Sequence, residues 1–136
     1  MTTTRYGKSC LLPGASLDEG IARVEQALGA VGFGVLTRID VHTTLREKLG
    51  EEFRPYAILG ACNPQLALRA LRVEDQVGLL MPCNVVVQGA EGGVEVSMID
   101  AHALVPFVEE GSEAAQVMTE AAGLLEEALA SLGNAD

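Results

Sequence analysis

The chain has no tryptophan and only three Phe and two Tyr, so any interior built from it has to be filled by aliphatic side chains. It also lacks a CxxC pair. The three cysteines, Cys10, Cys62 and Cys83, are widely spaced and odd in number, which argues against a secreted disulfide framework and for a reducing cytoplasm. Basic residues are scarce, nine against nineteen acidic ones, for a formal net charge of −10. Such a surface repels polyphosphate. Only Arg46 with Lys48 and Arg69 with Arg72 come near to a basic patch, so neither nucleic acid nor an anionic membrane is an expected partner. No apolar run follows the start Met1 to Arg5 and none is long enough to cross a bilayer, so no signal peptide or membrane span is expected. Walker loops, GxSxG elbows, HExxH and zinc-finger spacings are missing too, and no motif demands a cofactor.

What is present suits one domain of 136 residues, 49% of them hydrophobic. Arg5 to Leu12 reads as a strand ended by Pro13-Gly14. Ser16 and Glu19 form a capping box for a helix that places Leu17, Ile21, Val24, Leu28 and Val31 on one stripe and stops at Gly32. A second strand spans Gly34 to Val41. A short helix over His42 to Leu49 follows, with Asp40 as its cap, His42 at the surface, Leu45 and Leu49 inward, and Gly50 as its stop. Tyr56 to Ala61 is an apolar, interior strand. Asn63 then caps, and Pro64 opens, a helix through Leu66, Ala67, Ala70 and Leu71.

Beyond Asp75 to Leu80, Asn84 to Gln88 and Val94 to Ile99 form a hairpin around Gly89 to Gly93, with Val94, Val96 and Met98 inward and Glu95 and Ser97 outward. The longest helix covers Ser112 to Leu132 and buries Val117, Ala121, Leu124 and Ala128. This order, with a single tight hairpin, favours an α+β fold: one mixed or antiparallel sheet of about five strands, with helices largely on one face.

The most site-like feature is a pair of separated segments, Cys62-Asn63-Pro64 and Pro82-Cys83-Asn84. Cys62 precedes a helix whose first N–H groups favour thiolate or a bound anion, and two converging thiols suit a soft metal or a reversible disulfide. Buried cysteines also serve as plain hydrophobes, and Asn63-Pro64 is explained by helix initiation alone. Pro82 is expected to be trans, the usual X-Pro state. Asp100 and His102 have the spacing of a carboxylate-oriented imidazole if the strand continues. Arg54 stands ready for an anion or, more simply, for Glu47, Glu51 or Glu52 nearby.

Ile39-Asp40-Val41, Leu45 to Gly50, Arg54-Pro55-Tyr56, Leu59 to Pro64, Gly78 to Val87 and Val96 to Asp100 together resemble the bacterial DUF302 family. The resemblance spans about three quarters of the chain in order. It implies a compact TBP-like α/β fold and homodimers, and it implies no chemistry, because a fold carries none by itself. Two positions depart from the family pattern: His42 stands where lysine is common, and Ala101 where proline is common.

Three functions fit these residues. The first is a cytosolic, homodimeric small-ligand or soft-metal-binding protein, with Cys62, Asn63, Pro82, Cys83 and Asn84 at its pocket and Asp100, His102 and Arg54 as accessories. The second is a thiol enzyme in which Cys62 attacks, Cys83 resolves, and His102 or Asp100 moves a proton. The third is an interaction module with no small-molecule site.

Overall fold

The computed structural model describes residues 4–133. Five strands form one antiparallel sheet in the order β1-β5-β4-β3-β2. They are β1 (Gly7–Pro13), β2 (Gly34–Asp40), β3 (Tyr56–Cys62), β4 (Cys83–Ala90) and β5 (Gly93–Ile99). The helices are α1 (Leu17–Gly29), α2 (Val41–Leu49), α3 (Pro64–Val73) and α4 (Glu113–Gly133), with 3-10 helices at Asp75–Leu80 and Ala101–Phe107.

Strand alternation sorts the sheet into two faces. Leu59, Ala61, Val85, Val87, Val96 and Met98 are buried on the inner face, where Val24 and Leu28 of α1 and Ala122 and Leu125 of α4 join them in one core. α1 lies close enough to the sheet that a Cβ on Gly20 would come within 2.7 Å of Val94 Cγ2. The outer face carries Ile58, Asn84, Val86, Ser97 and Ile99, and Ser9 and Ser97 share a 2.9 Å hydroxyl contact across β1 and β5.

The capping box of α1 is formed as the sequence specifies, with Ser16 Oγ accepting from the Glu19 N–H at 3.1 Å and Glu19 Oε1 from the Ser16 N–H at 2.9 Å. Several local expectations differ from what is found. Helix α2 buries no residue, and Leu49 is exposed, because the helix packs by the side of β3 and not over the core. Asp40 is its N-cap by position, but its carboxylate accepts from Arg38 Nε at 2.9 Å and makes no cap bond. His42 is half-buried and not a surface residue: its Nδ1 accepts from the Tyr56 N–H at 3.0 Å, which pins α2 to β3.

Leu71 is exposed and Leu125, one position past Leu124, takes the deeper place in α4. The hairpin strands run further than the glycines suggest, so β4 reaches Ala90 and the turn contracts to Glu91-Gly92, with Gly92 at φ 80°. Glu95 points outward by alternation and still retains only 9% exposure.

Candidate functional site

Cys62 ends β3, and Asn63 turns the chain into α3. Asn63 Oδ1 accepts from the Leu66 N–H at 3.2 Å while Pro64 takes the first helical position, where its missing N–H costs nothing. The cap oxygen is thereby committed. The Asn63 amide nitrogen lies against Gly32, 3.1 Å from where a Cβ on that glycine would sit, and makes no hydrogen bond within the described residues.

The second segment reaches the same place through strand pairing. Cys83 opens β4 opposite Ala61, which puts it one register step from Cys62. Pro82 follows a cis Met81–Pro82 peptide, contrary to the trans expectation; the tertiary amide of an X-Pro bond is what makes the cis state accessible at all. Its ring lies over Gly60, where an added Cβ would overlap Thr37 Oγ1 and come within 2.8 Å of Pro82 Cγ. Gly60 is therefore required bare so that β2, β3 and the Pro82 segment can close together.

Cys62, Asn63, Pro82 and Cys83 all line one cavity of about 330 Å³. Its opposite wall is helical: Leu66, Ala67 and Ala70 of α3 face Val117, Met118 and Ala121 of α4, and Val77, Leu80, Ala101 and Leu104 of the two 3-10 helices close the sides. No charged residue lines it. Outside the cavity, Arg69 joins α3 to α4 by donating to Glu113 at 2.6 Å and to Glu120 at 2.8 and 3.0 Å.

Burial first, and then the charge of neighbouring Cys62, push the Cys83 thiol up to about 11. At neutral pH Cys83 is therefore a protonated thiol, a weak donor and a soft contact surface. All three cysteines are free. Burial also raises Cys10, which packs against the core on β1.

Other expected site residues lie elsewhere. Asn84 follows Cys83 in the strand, so alternation turns it to the outer face, where it lines a separate groove with Tyr6, Tyr56 and Gln88. Arg54 donates from Nε to Gln88 at 2.9 Å and stacks over Phe53 at 4.4 Å, and it pairs with none of Glu47, Glu51 and Glu52. Asp100 and His102 flank the cavity residue Ala101 without lining the cavity. The strand does not continue past Ile99; Asp100 caps a 3-10 helix, its Oδ1 accepting from the His102 N–H at 3.0 Å and lying 3.0 Å from His102 Nδ1.

With Glu126 these two residues form a three-donor group with ligating atoms within 4.8 Å of one another, but Lys8 already pairs with Glu126 there. The cysteines are not part of this group.

Sequence reading missed most of the chamber itself. Thr37, Ala67, Ala70, Ala121 and Met118 look like ordinary helix and strand residues, and only the excess of alanine where two amphipathic helices would carry larger side chains hints at unfilled space.

Five antiparallel strands backed by helices that line an apolar pocket, with Cys62-Asn63 and Pro82-Cys83 at its rim, define a small α+β protein with a partly open cavity. The chain belongs to the DUF302 family, whose model, described as a domain of unknown function, matches residues 10–132. It is similar to the crystal structure of an uncharacterized conserved DUF302 protein from Bacillus stearothermophilus, at 30% identity and a TM-score of 0.82, over 93% of this chain and 98% of that one. No curated protein matches it.

Proposed function

We propose that this protein binds a small molecule in the cavity bounded by Cys62, Asn63, Pro82 and Cys83. The observation that carries the reading is the cavity: two segments twenty residues apart in sequence share its rim, and its volume of about 330 Å³ falls in the range of small-molecule sites, roughly 300–1,000 Å³. A soft metal ion is the weaker occupant, because burial holds the proton on Cys83 to about pH 11 and a second thiolate is costly to form. The same protonated thiol counts against Cys83 as a redox partner, and Asp100 and His102 stand outside the cavity that a thiol enzyme would need them in.

Two further parts of the reading concern setting. Three free thiols favour a reducing cytoplasm. Among the described residues no helix is long and apolar enough to cross a membrane. We also propose a homodimer, formed through the outer face of the sheet. Glu95 is the one charged residue that alternation places on that face along β3, β4 and β5, in a chain carrying −10, so two copies meet there with least repulsion. The TBP-like description belongs to this same reading.

The test is native mass spectrometry of protein purified after exposure to a small-molecule extract of bacterial cells. Wild type should retain a discrete added mass, and Cys62→Ala with Cys83→Ala should lower its retention at least several-fold. Wild-type protein that emerges at its bare mass, or equal retention by the double variant, rejects the reading.

A further inference from the structure

Within that reading of the cavity as a ligand site, the geometry points to the class of ligand: a neutral, largely hydrophobic molecule. The argument starts from what the wall cannot do. It has no lysine, arginine, histidine, aspartate or glutamate, and burial keeps the Cys83 sulfur protonated and uncharged. An ion moved into such a space loses its water and finds no countercharge, which costs far more than a neutral molecule of the same size.

The polar atoms are few, and the topology collects them at one end. Thr37 in the middle of β2 pairs with Gly60, Cys83 with Ala61, and Asn63 follows directly on Cys62, so the hydroxyl, the thiols and the amide gather around the end of β3 and the start of β4. Of these, the Asn63 oxygen is committed to capping α3, and its amide nitrogen lies against Gly32, which does not line the cavity.

The opposite end is apolar, and small side chains make its space. Ala67 and Ala70 on α3 and Ala121 on α4 occupy positions where interlocking helices normally carry Leu or Ile, and Ala70 and Ala121 are themselves buried. Apolar space of this kind holds water poorly and accepts apolar guests; an engineered apolar cavity of about 150 Å³ already binds benzene. This one is about 330 Å³. Core residues make up most of its walls, Leu36, Thr37 and Pro82 are exposed at its mouth, and its volume suits a small molecule.

The experiment compares two fluorophores with the same ring skeleton, neutral N-phenyl-1-naphthylamine and anionic 8-anilinonaphthalene-1-sulfonate, on the intact chain. Two filled variants, Ala70→Leu and Ala121→Leu, are measured beside wild type, with thermal unfolding as the control for folding. The neutral probe should bind and slow alkylation of Cys62 and Cys83, the anionic probe should bind at least tenfold more weakly, and either filled variant that keeps its melting temperature should lose neutral-probe affinity tenfold or more. Preference for the anionic probe, with the thiols protected, overturns the ligand class and leaves a small-molecule site standing. Neutral-probe binding that survives both filled variants places the probe elsewhere and overturns the assignment. Absence of binding and of thiol protection with both probes overturns this inference, while retention of an added mass from the cell extract would still uphold the broader reading.

Discussion

Cys83 sits where a sulfur is sheltered without being sealed, and its titration follows from that position. A thiol raised to about 11 by burial stays neutral in the folded chain through the range in which an unfolded one, near 9.0, already ionises. The stabilisation is thus fully present below pH 9 and is lost as pH rises toward 11, because ionisation favours the unfolded chain first. Over two pH units this is on the order of 2 kcal/mol. Urea unfolding of Cys83→Ala and wild type between pH 8 and 11 should show the wild type losing more stability across that window. Peptide-resolved iodoacetamide labelling should likewise place the half-maximal rate at Cys83 near pH 11, and a midpoint near 9 would mean that the sulfur is more open than described.

At the scale of elements, the junction of β3 and α3 joins stability to the site. Asn63→Ala removes the oxygen that accepts from the Leu66 N–H and should cost about 1 kcal/mol in chemical denaturation, while Asn63→Asp, which keeps an acceptor at the positive end of the helix, should restore most of it. A substitution with no effect would mean that water caps the helix equally well. This junction was fully legible in the sequence, as was the Ser16-Glu19 box, because capping is decided by side chains within three residues of the backbone they bond.

Where the outcome depended on distant partners, sequence patterning ran short. Leu45 and Leu49 have the spacing of a buried stripe, yet α2 contacts β3 away from the core and buries neither. His102 had the alternation of a strand residue until Asp100 closed the strand by capping a 3-10 helix. The two Cys-Asn segments were visible as motifs, but their meeting at one cavity is a product of β3–β4 register, and the alanines that hollow it out carry no local signal. Arg69, bridging α3 to α4 from outside, likewise holds the cavity's helical wall through pairings 44 and 51 residues away.

For the whole molecule, charge and sheet topology act together. A chain with a net charge of −10 resists self-association everywhere except at a nearly uncharged surface, and the outer sheet face is such a surface. Light scattering coupled to size exclusion should give twice the chain mass for wild type and the single mass for Val86→Arg, with the wild-type dimer weakening as salt is lowered. A wild-type monomer at all salt concentrations would dispose of the dimer.

The Ser9–Ser97 contact joins residues 88 positions apart, and the strand that holds Ser9 pairs only with β5. On the ribosome, the first strand to be made is therefore the last to find its place. Residues 7–13 must wait, unpaired, until Gly93–Ile99 has emerged, while β2, β3 and β4 have already met. A pause in translation once residue 90 has cleared the exit tunnel, and before Gly93–Ile99 follows, would hold the nascent chain in a three-stranded state with one open border, and chaperone capture should peak there.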